Sequence, residues 1–102
     1  MRFTSAFILA AASIMAAPSF ANEALAKTAG CTSCHKIDGK LIGPGYKQVA
    51  EKYKDDKNAE KALIEKVTNG GKGVWGQIPM PDNKALKAED IKTLVKWVLA
   101  QK

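Results

Sequence analysis

The clearest pattern of hydrophobic and polar positions lies near the carboxyl terminus, in residues 88–101. The apolar residues there recur at intervals of three and four and are Ile91, Leu94, Val95, Val98 and Leu99. Glu89 and Asp90 precede them, and the helix dipole favours acidic side chains in a first turn. The spacing predicts a helix with one buried face, although Lys87 stands where a capping Ser, Thr or Asp is preferred.

Three shorter patterns predict further helices, over residues 23–34, Tyr46–Tyr53 and 59–69. Asn58 is a suitable N-cap for the third of these, and Gly70 follows its end. No segment shows the strict alternation that is typical of a strand, and glycines and prolines mark the connections. The sequence therefore predicts an all-α protein of four short helices.

The connection between the last two predicted helices is unusually long. Residues 70–87 contain four glycines, two prolines and the run Ile78-Pro79-Met80-Pro81. Each proline fixes its own backbone and disfavours helix in the residue before it, so we expect Ile78 and Met80 to be extended. Because compact domains rarely keep so long a connection without a use for it, this segment is expected to carry function.

The amino-terminal residues 1–21 have the pattern of a cleavable secretory signal. Arg2 precedes an apolar run at residues 6–17, and small residues stand just before the expected cut. The run has 12 residues, whereas a membrane-spanning helix needs about 20. We therefore expect export to the periplasm, cleavage before Asn22, and a soluble mature domain of residues 22–102.

Size and charge narrow the class of protein further. Removal of the signal leaves 81 residues with 15 lysines, no arginine and 10 acidic residues. So small a single domain has a marginal core unless a cofactor or a cross-link supplements it. The basic balance suits steering toward acidic partners, while the lack of arginine and of basic runs with interleaved aromatics argues against nucleic-acid binding.

Cys31, Cys34 and His35 form the spacing C-x-x-C-H. On one helical turn, all three side chains can lie on the same side. Two thiols so placed can form thioethers with the vinyl groups of a haem while the adjacent imidazole reaches the iron, which is why the pattern indicates c-type haem attachment. His35 is also the only histidine of the chain.

Three other uses of the two cysteines have weaker support. A redox dithiol of thioredoxin type follows a strand, and none is predicted here. A zinc site needs further ligands, but the mature chain holds no other Cys or His. A disulfide across this spacing would constrain little chain. The pattern therefore favours haem attachment over a dithiol, a zinc site or a structural disulfide.

Met80 is the only methionine that remains once residues 1–21 are removed. A single methionine in a small protein most often fills a gap in the core. Here its two flanking prolines place it in a stiff, non-helical segment, which suits a ligand held at a fixed reach. If haem is bound, we predict that His35 and Met80 are the two axial ligands, a pair that raises the reduction potential.

Six segments combine into one pattern that spans the mature chain. They are Cys31-Thr32-Ser33-Cys34-His35, Gly43-Pro44, Asn69-Gly70-Gly71, Gly73-Val74-Trp75-Gly76, Ile78-Pro79-Met80-Pro81-Asp82-Asn83 and Lys96-Trp97-Val98-Leu99. This pattern resembles the small bacterial class I cytochromes c of the c-551 and c-552 type. The resemblance implies four short helices wrapped around one covalently bound haem c.

The resemblance also implies roles for four residues around that haem. The backbone carbonyl of Pro44 would accept the proton of the His35 imidazole, and the Asn83 amide would donate to the methionine sulfur. Trp75 and Lys66 match positions that hydrogen-bond a haem propionate.

An iron with two protein ligands has no open position, so the predicted function is a one-electron carrier and not an enzyme. Its partners would be redox proteins of the oxidase, nitrite reductase or peroxidase class, met by a monomer in small, short-lived contacts. An apolar rim and a set of steering lysines are expected near the haem edge. They are Thr32, Leu41, Ile42 and Ile78 for the rim, and Lys36, Lys40 and Lys84 for the lysines. The alternative is an open-site haem sensor or enzyme, which requires Met80 to lie elsewhere.

Overall fold

The structure is a computed structural model that describes residues 19–102. The predicted signal peptide, residues 1–21, lies outside the described residues except for the backbone of its last three. The helices are α1 (Ser19–Thr28), α2 (Tyr46–Tyr53), α3 (Ala59–Asn69) and α4 (Ala88–Leu99), with a 3-10 turn at Cys31–Ser33 between the first two. Residues 19–102 contain no strand, and none of the described helices is long and apolar enough to cross a membrane. The prediction of four helices is confirmed.

Helix α4 is the centre of the fold and packs against α1, α2 and α3. Its buried residues are Ile91, Leu94, Val95 and Trp97. The first three belong to the predicted apolar face, while Trp97 lies beside that face and is buried because α1 and α2 converge on it. Helix α4 begins at Ala88 as predicted, with Lys87 in an extended conformation and no capping side chain. It ends two residues before the predicted limit.

The first helix ends earlier than predicted. Helix α1 stops at Thr28, whereas the sequence pattern suggested a helix as far as residue 34. The reason is Gly30, whose φ of 86° lies in the left-handed region. Glycine adopts this conformation without a steric cost, and a residue in this conformation ends a helix. Cys31 therefore starts a separate 3-10 turn, in which the N–H groups of Cys34 and His35 both donate to the Cys31 carbonyl.

Helices α2 and α3 match their predicted limits. Tyr46 and Ala50 are buried on α2, and Ala59 is buried at the start of α3. Asn58 occupies the N-cap position, but its side chain makes no capping hydrogen bond. Gly70 follows α3 with a φ of 73°, and its N–H donates to the Lys66 carbonyl. This turn starts the loop that leads to Met80.

Candidate functional site

The residues predicted to bind haem gather around one cleft bounded by α2, α4 and the loop after α3. Seven of the predicted site residues line it: Cys31, Cys34, His35, Pro44, Lys66, Trp75 and Met80. Asn83 is not part of the lining. The rest of the wall is largely apolar and includes Val49, Leu63, Val67, Leu94 and Val95. Residues from four separate parts of the sequence thus meet in one place.

The two cysteines are held close together by the 3-10 turn. Both are half-buried, and both are free thiols. Burial raises the pKa of the Cys31 thiol, an effect that a backbone hydrogen bond partly offsets and to which the neighbouring Cys34 adds. The described residues contain no group of three or more His, Cys, Asp or Glu side chains that could hold a metal ion.

The His35 ring is fixed from several directions. Its Nδ1 lies 2.7 Å from the Pro44 carbonyl oxygen. A carbonyl oxygen can only accept, so Nδ1 donates a proton and Nε2 keeps its lone pair for another partner. Gly43 lies against the ring, and a Cβ atom there would come within 2.5 Å of Cε1. The ring is therefore pre-oriented, and Nε2 is the nitrogen available to bind a metal.

Two aromatic residues extend this support into the core. The Tyr46 ring stacks on His35 with a centroid distance of 5.6 Å, and it meets the Trp97 ring edge-on at 5.1 Å. Tyr46 Oη and Trp97 Nε1 are buried without a protein partner, and burial raises the pKa of Tyr46 to about 12. The spacing analysis placed Tyr46 on a helix but did not indicate a contact with His35, because that contact joins residues of different elements.

The backbone of Met80 is fixed by a short antiparallel bridge to Gly71. Gly71 N–H donates to the Met80 carbonyl at 3.0 Å, and Met80 N–H donates to the Gly71 carbonyl at 2.7 Å. A Cβ atom on Gly70 would lie only 2.4 Å from the Met80 oxygen, so the approach requires glycine. The extended conformation expected for Met80 is confirmed, and its backbone partner is the single residue Gly71.

Asn83 fastens the same loop to the end of α3. Its backbone N–H donates to the Thr68 carbonyl at 3.1 Å, and its side-chain Nδ2 donates to the Val67 carbonyl at 3.0 Å. A longer contact of 3.5 Å joins Nδ2 to the Pro81 carbonyl. These bonds are structural, and the predicted donation from Asn83 to the methionine sulfur stays a prediction.

Trp75, in the loop, and Lys66, in the last turn of α3, both line the cleft. Trp75 is 40% exposed. Lys66 is half-buried, and its ammonium lies along Gly71, where a Cβ atom would come within 2.6 Å of Nζ. A positively charged group and an indole N–H in the lining are suited to an anionic group such as a carboxylate.

The side chains of this cleft fit a covalently bound haem. Two thiols, an imidazole with a free Nε2 and a thioether line one largely apolar cavity, which is the donor set that c-type haem attachment and axial ligation require. A Cβ atom at Gly43 would clash with the His35 ring, and one at Gly70 would clash with the Met80 carbonyl. The two glycines therefore allow both predicted ligands to occupy their positions beside the cleft. The predicted rim residues Leu41, Ile42 and Ile78 are exposed, and Ile42 and Ile78 also line the cleft.

Comparison with known proteins agrees with this geometry. The cytochrome c family model matches residues 21–102. A cytochrome c-551 of Allochromatium vinosum is 50% identical over 84 residues, which cover 81% of this chain and 89% of that protein. A cytochrome c-551 of Pseudomonas aeruginosa is 45% identical and covers 93% of this chain and 92% of its own. The crystal structure of Nitrosomonas europaea cytochrome c552 superposes with a TM-score of 0.76 at 42% identity, covering 78% of this chain and 99% of that one.

The chain therefore belongs to the cytochrome c family, and its fold is that of the class I members. Cytochromes c are electron carriers that hold haem covalently and exchange electrons with redox partner proteins, and the curated relatives are carriers of this kind and not enzymes. The predictions of family, fold class and non-enzymatic role are confirmed.

Proposed function

We propose that this protein is a periplasmic one-electron carrier with a six-coordinate haem c, attached through Cys31 and Cys34 and ligated by His35 and Met80. The observation that carries the proposal is the meeting of two thiols, one oriented imidazole and one thioether in a single apolar cleft. When bound, haem supplies an iron that changes between its ferric and ferrous states without an open position for a substrate.

The histidine would be positioned before the iron arrives. Donation from Nδ1 to the Pro44 carbonyl would fix the tautomer that leaves Nε2 free for the iron. The stacked ring of Tyr46 and the close approach of Gly43 restrict rotation of the imidazole. These contacts reduce the reorganisation required when the oxidation state changes.

The methionine would be positioned by its backbone. The two hydrogen bonds to Gly71 and the flanking prolines keep Met80 extended, so its thioether has a limited range of positions. A thioether opposite an imidazole raises the reduction potential. Trp75 and Lys66 would hydrogen-bond a haem propionate from the cleft lining, and Asn83, whose amide is bonded to the Val67 carbonyl, would turn its other N–H to the methionine sulfur.

A redox partner would meet the protein at the mouth of the cleft. Ile78 is 68% exposed, and Leu41 and Ile42 are each 49% exposed, which gives an apolar contact area. The exposed Lys36, Lys40 and Lys84 can steer an acidic partner of the oxidase, nitrite reductase or peroxidase class. The protein would act as a monomer in short-lived contacts.

Export is the remaining part of the proposal. Residues 1–21 would be removed as a signal peptide and residues 22–102 would form the mature domain. The family match begins at residue 21, next to the proposed cleavage point.

Expression in a host that exports and attaches haem tests the proposal. The mature band should retain haem stain after denaturing electrophoresis, and its mass should correspond to a chain that begins at Asn22. The reduced protein should not bind carbon monoxide rapidly. A haem-free mature band contradicts covalent attachment, and rapid carbon monoxide binding favours an open-site haem protein.

A further inference from the structure

The loop that carries Trp75 has little packing of its own. Gly73 and Gly76 flank the residue pair Val74-Trp75 with φ values of 100° and 135°, and a single hydrogen bond of 2.8 Å from Gly73 N–H to the Gly76 carbonyl closes the turn. A Cβ atom at either glycine would meet nothing within 4 Å. The position of the Trp75 indole therefore depends on contacts made by its own ring.

Lys52 makes such a contact from α2. Its Nζ lies 5.7 Å from the centre of the Trp75 ring and 5.8 Å from the centre of the neighbouring Tyr53 ring. Both distances are within the range in which an ammonium group is attracted to an aromatic face. The one ion pair within residues 19–102 joins Lys54 to Glu51, and the Lys52 ammonium faces the two aromatic rings instead.

The anchor point belongs to a helix packed on the core, whereas the loop is exposed. Lys52 lies in the last turn of α2, a helix that is held to the core by buried Val49 and Ala50. Both Tyr53 and Trp75 line the cleft. An ammonium shared between the two rings therefore joins a core helix to the tip of the glycine-rich loop, and it does so at the wall of the site.

We propose that Lys52 is a positioning residue that holds Trp75 against α2 and thereby keeps one wall of the haem cleft in place. This inference goes beyond the proposed function, because it concerns how the wall is held and not which group is bound. The proposed role requires a positive charge at position 52. An uncharged side chain of similar length would keep the contacts of the aliphatic part of the side chain but would lose the attraction to the two rings.

The test uses the reduced, haem-loaded protein and nuclear magnetic resonance. The chain contains two tryptophans, so the indole N–H signal of Trp75 can be compared with that of buried Trp97 in one spectrum. Lys52→Gln should shift the Trp75 signal and leave that of Trp97 in place. Amide hydrogen exchange at residues 73–76 should become about two- to fivefold faster, the factor expected from loss of one exposed cation–π contact.

Two further variants make the result specific. Lys52→Arg should restore the wild-type signal and exchange rates, because a guanidinium also interacts with aromatic faces. Lys57→Gln removes the same charge from an exposed position outside the cleft lining and should have no effect. The proposal is overturned if Lys52→Gln matches Lys57→Gln, or if Lys52→Arg behaves like Lys52→Gln. Haem stain on the same samples tests the proposed function separately, because Lys52 is not among the residues proposed to hold haem.

Discussion

The two sides of the cleft are held by different kinds of interaction. The histidine side, residues 31–46, is continuous with the core: Cys31 and Ile37 pack against a cluster that contains Tyr46 and Trp97. The methionine side, residues 70–83, is mostly exposed and is attached to α3 through hydrogen bonds from Gly70 and Asn83, while the Gly71–Met80 bridge holds it together internally. One side shares the stability of the whole fold, while the other can open locally.

This difference suits a carrier whose ligands have unequal tasks. In the proposed arrangement the imidazole lies next to the two cysteines and belongs to the side that the core supports. The methionine side would close over a bound cofactor without rearranging the core, because it is joined to α3 only through hydrogen bonds of Gly70 and Asn83. We therefore expect Met80 to detach before the helices unfold.

The largest loss of folding stability should come from removing a buried side chain that packs against the histidine side. Trp97→Ala deletes a ring that is 6% exposed and contacts Tyr46, and it should lower the free energy of unfolding by about 3–5 kcal/mol. Denaturant unfolding of the haem-loaded protein, followed by far-ultraviolet circular dichroism, measures this change. Ile78→Ala, at an exposed position of the methionine side, should change it by less than about 0.5 kcal/mol. Equal losses in the two variants would remove the distinction between the sides.

An intermediate effect is expected at the glycine that faces Met80. Gly70→Ala places a Cβ atom against the Met80 carbonyl at a φ of 73°, and it should destabilise the methionine side by roughly 1–3 kcal/mol. The far-red thioether-to-iron band of the oxidised protein should then disappear at a lower denaturant concentration than the helical signal. Gly73→Ala, also at a positive φ but without a nearby atom, is the matched control. The distinction between the two sides is contradicted if Gly70→Ala and Gly73→Ala separate the loss of the far-red band from the loss of the helical signal by the same denaturant interval.

The smallest effect concerns acid stability on the histidine side. Gln48 Nε2 donates to the Asp38 carboxylate at 2.8 Å, and this bond is the main reason why the pKa of Asp38 is lowered. Because the pKa of Asp38 is lower in the folded protein, its carboxylate stabilises the fold at any pH above the ordinary pKa near 3.8. This stabilisation is lost as the pH falls through the lower pKa of the folded state. The thermal midpoint of Asp38→Asn should therefore fall less between neutral pH and about pH 3 than that of the wild type.

Asp55→Asn provides the control for this acid series, because it removes one negative charge from an exposed position between α2 and α3. Its thermal midpoint should follow the wild-type dependence on pH. If Asp38→Asn follows the same curve as Asp55→Asn, the bond between Gln48 and Asp38 makes no measurable contribution to the histidine side.

Local patterns in the sequence predicted most of the helical structure. Helix α2 matched its predicted limits because its apolar spacing is bounded directly by Gly45. The first helix was predicted too long because the weak apolar pattern was continued past Gly30, a glycine that adopts a left-handed conformation and ends the helix as Gly70 ends α3. Four residues of the cleft lining, Cys31, Cys34, His35 and Met80, could be predicted from local signals, whereas Pro44, Lys66 and Trp75 were indicated only by the family resemblance.

Contacts between distant segments could not be predicted in the same way. The Gly71–Met80 bridge, the Asn83 bond to the Val67 carbonyl and the approach of Lys52 to Trp75 each join different elements. They depend on how the loop folds back on α3 and α2, and hydrophobic periodicity carries no information about that path. Most of the contacts that the sequence pattern did not predict therefore involve the methionine side.

The central claim is that His35 and Met80 close both axial positions of one haem, and the spectrum of the oxidised protein tests it most directly. The wild type should show the far-red thioether-to-iron band. Met80→Ala should lose that band, keep its covalent haem and have a midpoint potential lower by roughly 0.1–0.3 V, within the range of about 0.8 V that axial ligands span. A wild-type spectrum without the band, or a Met80→Ala spectrum that retains it, would contradict the account.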